Sequence, residues 1–169
     1  MNDNVVYFAH GKESGPWGSK IKALAEVAQR AGFHVESPDY RFTMDPDQRV
    51  AHLVSLQPKA GRKLLFVGSS MGGYVAANAC DSIMPDGLFL MAPAMFMEGY
   101  PRAPDELPEK SVIVHGRHDD IVPADNAVEL ARRYECDLHL IDSGHTLTDC
   151  IPFLEYLFSN LLEKLKVTD

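Results

Sequence analysis

The stretch VGSSMGGY, residues 67–74, places two adjacent serines among glycines. Gly68, Ser70 and Gly72 fit the pattern G-x-S-x-G with Ser70 at its centre, and Ser69 fills an x position. An apolar run precedes the motif and a small-residue run, MGGYVAANAC, follows it. A serine on such a strand-to-helix turn is held in a strained backbone conformation with its hydroxyl above the sheet. Glycines relieve the crowding around it. The free N–H groups and positive end of the following helix face any oxyanion that develops there. Ser70 is therefore the candidate nucleophile. The bland alternative is a tight turn with an inert serine.

A serine at its free pKa is a poor nucleophile and needs a base, which in turn needs an orienting acid. RHDDIVP, after the apolar run SVIVHG, offers Asp119 and Asp120. Ser143-Gly144-His145 follows DLHLID, where a loop can carry the imidazole over the sheet. His145 is the candidate base because it alone follows the last strand. His139, His34 and His52 read as ordinary strand or helix residues, and His115 reads as a group that fixes a loop backbone. His118 neighbours the acid, either supporting it or simply solvated. No histidine pair has metal-ligand spacing, so no metal and no cofactor are expected.

An oxyanion needs two donors. Met71 follows the nucleophile, and Lys12 lies in the loop His10-Gly11-Lys12-Glu13 after the first apolar run. The Lys12 side chain could pair with Glu13 or a substrate anion, with solvation the default. Trp17 could cover substrate or anchor the helix behind it. Met95 and Phe96, in AMFMEGY, could line an acyl pocket or plug the top of the sheet.

These groups need elements to position them. Short apolar runs at 5–10, 34–40, 63–68, 87–93, 111–116 and 137–142 predict strands. Amphipathic runs at 19–33, 45–57, 124–135 and from Asp149 onward, and the small-residue run at 71–80, predict helices. Ser19 is the expected N-cap of the first helix and Gly32 its C′ residue. Phe153, Leu154, Leu157, Leu161, Leu162 and Leu165 form the expected buried stripe of the last. Strand–helix alternation with apolar strands implies a three-layer α/β/α sandwich around a mostly parallel sheet of about six strands. No linker or repeat divides the chain, so residues 1–169 are expected to form one domain without a separate lid. In such sheets ligands bind beyond the carboxyl ends of the strands, where every candidate above lies.

The 169-residue chain is long enough to bury a core. A formal net charge of -8 argues against nucleic acid or an anionic membrane surface as the main partner. No apolar run approaches the roughly 18 residues of a membrane span, and the polar N-terminus argues against a signal peptide. Cys80, Cys136 and Cys150 are odd in number and far apart, which fits reduced thiols in the cytoplasm.

YFAHG, VGSSMGGYVA, VIVHGRHDDIVP and IDSGHTLTD, in this order, resemble the α/β-hydrolase superfamily over nearly the whole chain. The third segment resembles its HGxxDxxVP element, which implies Asp119 rather than Asp120 as the triad acid. The fourth implies His145 as the base. HGKESGP and GSSMGGY are similar to small capless bacterial esterase-like hydrolases of the YqiA type. The usual sheet lacks its two N-terminal strands here, and residues 93–110 replace a lid with a short Pro-rich loop. The resemblance implies a serine hydrolase cleaving a small or medium carboxylic ester. A thioesterase or amidase would use the same triad. A non-catalytic binding protein retaining the fold is the alternative of another class. Apolar residues near 94–100 would suit a homodimer contact or a substrate equally.

Overall fold

The computed structural model describes residues 3–167. Six strands form one sheet: β1 Asn4–Ala9, β2 His34–Glu36, β3 Lys63–Ser69, β4 Gly87–Met91, β5 Lys110–Gly116 and β6 Asp137–Ile141. Their order is β2-β1-β3-β4-β5-β6 and every pairing is parallel. The central strands are buried almost throughout and mostly apolar, because helices cover both faces. Phe66 of β3, for example, lies between Tyr7 and Leu88 and is fully buried.

Among the described residues five α-helices complete the layers: α1 Ser19–Arg30, α2 Pro46–Ser55, α3 Met71–Ala79, α4 Ala124–Tyr134 and α5 Ile151–Val167. Leu24 and Ala28 of α1 pack with Leu154, Phe158 and Leu162 of α5 on one face. Val50 and Leu53 of α2, Tyr74 and Val75 of α3, and Ala127 and Leu130 of α4 fill the other. Among the described residues no helix is long and apolar enough to cross a membrane.

Several local expectations change. Helix α1 starts at Ser19 with Gly18 at its N-cap, so no side-chain cap bond is made there. Its end follows expectation. Gly32 takes φ +86°, its N–H reaches Gln29 O at 3.0 Å and Phe33 N–H reaches Ala28 O at 2.9 Å, a Schellman closure. Strand β2 stops at Glu36. Ser37 instead donates to the Pro16 carbonyl, and Pro38 has no N–H for a ladder. In α5 Phe153 leaves the expected stripe: it is exposed and stacks beside Tyr156, while Phe158 enters the core.

Sheet order reverses direction between β1 and β3. Loops after these two strands diverge and leave a crevice at their carboxyl ends.

Candidate active site

Ser70 occupies the turn between β3 and α3 at φ 55°, ψ -117°, a left-handed conformation that a side chain rarely adopts. Neighbouring backbone holds it there. Its N–H donates to Met91 O at 2.9 Å, and its carbonyl accepts from Ala94 N–H at 3.0 Å and Gly73 N–H at 2.9 Å. Two glycines make the turn fit. A Cβ on Gly68 would stand 2.1 Å from Gly72 O, and one on Gly72 would stand 1.8 Å from Ala9 O.

Ser70 Oγ lies 2.9 Å from His145 Nε2. His145 Nδ1 lies 2.7 Å from Asp119 Oδ2, an acceptor only, so Nδ1 carries the proton and Nε2 is free to accept the serine's. The loop carrying His145 is fixed by fully buried Leu147 and by Ser143 Oγ, which donates to Asp149. Asp119 has a fully buried carboxylate. Its Oδ1 accepts the N–H groups of Ile121 at 2.9 Å and Val122 at 2.8 Å. His115, also fully buried, points Nε2 at Val122 O (2.9 Å) and Asp119 Oδ2 (3.1 Å). Both partners are acceptors, so Nε2 donates. The other ring nitrogen of His115 has no partner among the described residues. Asp120 is exposed.

Beside Ser70 opens a cavity of about 580 Å³. Lys12 and Glu13 stand at its rim, Ile21, Tyr100 and Ile121 supply apolar walls, and His145 and Thr148 close another side. Met71 is the first residue of α3, so its N–H has no acceptor within the helix. The loop bearing Lys12 is held from beneath. Fully buried Arg49 of α2 donates to Gly11 O (3.1 Å), Lys12 O (3.0 Å) and Thr43 O (2.8 Å). His10, also buried, donates from Nδ1 to Gly11 O at 2.8 Å and accepts Tyr40 N–H on Nε2 at 2.9 Å. Burial holds the His10 imidazole below its ordinary pKa, against the weaker opposing pulls of the Gly11 carbonyl and Asp39. Lys20 also lines the cavity, with Nζ 2.9 Å from Ser69 Oγ. Burial pushes its ammonium down to about 8, although the Cys150 thiol and Asp119 act the other way.

The family model of the uncharacterised protein family UPF0227 matches residues 4–100, more than half of the chain. The chain belongs to this family. The UPF0227 chain is similar to a solved structure assigned to the α/β-hydrolase superfamily from Xanthomonas campestris pv. campestris. They share 31% identity over 95% of this chain and 99% of that one, with a TM-score of 0.86. Est1E from Butyrivibrio proteoclasticus shares the fold at 16% identity, over 99% of this chain and 90% of its own, with a TM-score of 0.77. So does an α/β serine hydrolase without a lid from Xanthomonas campestris, at 18% identity over 97% and 83%, with a TM-score of 0.72. No curated protein matches the UPF0227 chain.

The structure brings Ser70, His145 and Asp119 into one hydrogen-bonded line and sets Lys12 and Met71 beside it. It does not bring Trp17, Met95 or Phe96 to the cavity wall. Trp17 precedes the first turn of α1 and is half exposed. Met95 is fully buried in the core with its carbonyl tied to Asn126 Nδ2 at 2.9 Å. Phe96 turns toward α4, where the Arg133 guanidinium covers its ring at 5.2 Å. From that segment Tyr100 reaches the cavity instead. His118 pairs with Asp142 on the surface and touches no group of the line. Sequence reasoning missed Lys20, Arg49 and the contact between His115 and Asp119. Arg49 carried a signal, since it shares the buried stripe of α2 with Val50 and Leu53. Lys20 carried none.

Proposed function

We propose that this UPF0227 protein is a serine hydrolase that cleaves carboxylic esters of small or medium acyl groups. One observation carries this reading: the continuous line Ser70 Oγ, His145 Nε2, His145 Nδ1 and Asp119 Oδ2, with contacts of 2.9 and 2.7 Å. In the proposed reaction His145 takes the Ser70 proton as Oγ attacks the acyl carbonyl. The N–H groups of Lys12 and Met71 receive the oxyanion. Asp119 keeps the productive tautomer and stabilises the imidazolium that forms. His145 then gives its proton to the leaving alcohol. Water, activated by the same imidazole, releases the acid and restores Ser70.

The open cavity, with only Tyr100 from residues 93–110 on its wall, fits an enzyme that takes a soluble substrate without a lid. The hydrolase and esterase neighbours support the same class. Cytoplasmic action on a small molecule, by one domain spanning the chain, completes the proposal. The test is turnover of p-nitrophenyl esters from acetate to decanoate, with Ser70→Ala as control. Turnover lost in the variant supports the reading; turnover that survives it contradicts the reading.

A further inference from the structure

Lys20 stands in the cavity wall without a counter-ion in contact among the described residues. It is half-buried, and among the described residues no carboxylate oxygen approaches Nζ within ion-pair distance. Its Nζ donates to the neutral Ser69 hydroxyl at 2.9 Å, which uses one of three donors. Cys150 and Asp119 act on it through space, but burial pushes the Cys150 thiol up, and the Asp119 carboxylate is occupied by two N–H groups and two imidazoles. Glu13 on the rim is exposed and makes no ion pair with it. A partly desolvated ammonium beside apolar Ile21 is costly unless something else completes its shell.

That position has a chemical meaning. Ser69 and the nucleophile are adjacent, about 3.8 Å apart at Cα. Lys20 and Ser70 line the same cavity. A molecule whose carbonyl sits at Ser70 can therefore place an anionic group on Lys20 through a short chain. A wholly neutral ester would leave the ammonium's remaining donors facing an apolar chain.

We infer that the site selects esters carrying a carboxylate a few bonds from the scissile carbonyl, with Lys20 as the group that binds it. This inference rests on the ester-hydrolase reading above. The carboxylate could belong to the acyl or to the alcohol half, and both leave the chemistry at Ser70 unchanged.

Two matched pairs separate these sources. p-Nitrophenyl monoglutarate against p-nitrophenyl valerate probes the acyl side. A ring-carboxylated p-nitrophenyl butyrate against plain p-nitrophenyl butyrate probes the alcohol side. The expected result is a kcat/KM at least about tenfold higher for the anionic member of one pair, the size of a charge-assisted hydrogen bond. In Lys20→Met and in Lys20→Gln that ratio falls to about one or below. Lys22→Met, an exposed change on the same helix, keeps it. Equal rates within both pairs in the native protein, or a ratio unchanged in both Lys20 variants, overturns the inference while leaving the hydrolase reading intact.

If no ester turns over, calorimetric binding of monomethyl glutarate to the Ser70→Ala protein decides the inference separately. Binding that disappears on adding Lys20→Met upholds it. Absent binding, or binding indifferent to Lys20, overturns it. A thermal melt on each variant guards against misreading an unfolded chain.

Discussion

Arg49 holds the carbonyl of Lys12 at 3.0 Å from Nη2. The same guanidinium, buried near the start of α2, holds the carbonyl of Gly11 at 3.1 Å from Nη1 and so fixes the Gly11–Lys12 peptide, whose N–H is the proposed oxyanion donor. Arg49→Met leaves the carbonyls of Gly11, Lys12 and Thr43 without that donor. Expected costs are about 2–4 kcal/mol in chemical unfolding and at least about tenfold in kcat. KM should change much less, because a loosened oxyanion donor acts on the transition state. Arg49→Lys should recover part of both. A folded Arg49→Met protein with native kcat would sever this link.

Acidification should destabilise the same loop through His10. The neutral ring uses both nitrogens, donating to Gly11 O and accepting from Tyr40 N–H. Protonation removes the acceptor, and burial opposes the charge, so the folded pKa lies below the ordinary value. The sign follows from linkage. Above about 6.5 both folded and unfolded chains hold His10 neutral and its full contribution is present. As pH falls below about 6.5 the unfolded chain takes up the proton first, and stability is lost on the way down to the folded pKa. Urea unfolding at about pH 7.5 and about pH 5.5 measures this loss. It should shrink in His10→Gln. An unchanged pH dependence in that variant would assign the loss to other groups.

The two acids after β5 should separate cleanly. Asp119 is enclosed by His145, His115 and two N–H groups, whereas Asp120 is exposed. Asp119→Asn should lower kcat by about a thousandfold or more, and Asp120→Asn by no more than about twofold. His115→Phe, which keeps a planar aromatic ring and removes the donor to Asp119, should fall between them in a variant shown to be folded. Equal losses at Asp119 and Asp120 would leave the proposed acid without support.

Glycine at the turn should be irreplaceable at one position and dispensable at another. Gly72→Ala drives a methyl group against Ala9 O and His10 O, both backbone atoms. The expected loss is at least about 3 kcal/mol or failure to fold. Gly144→Ala, next to His145, meets nothing within 4 Å and should stay within about 0.5 kcal/mol of the native stability. Thermal melts of the two variants compare them directly.

Strand–helix alternation made the sheet legible, because β3, β4 and β5 have apolar centres buried on both faces and are bounded by turns. Ser70, Asp119 and His145 were legible for the same reason: each follows a strand end, where the topology gathers loops. Met95 and Phe96 were not. Their types suit a pocket and a core equally, and only the Asn126 and Arg133 contacts direct them away. Trp17 misled because an aromatic beside a glycine-rich loop gives no sign of which way it turns. Lys20 was invisible because an ammonium on an amphipathic helix ordinarily points to water. Its approach to Ser69 joins residues 49 positions apart, which no local pattern encodes.

The central claim is that Ser70, and not its neighbour, is an activated nucleophile. Labelling with a fluorophosphonate, followed by mass mapping of the modified peptide, measures this whatever the natural substrate. The account predicts one adduct, on Ser70, retained in Ser69→Ala and abolished in both Ser70→Ala and His145→Ala. An adduct on Ser69, or labelling that persists without His145, would contradict it.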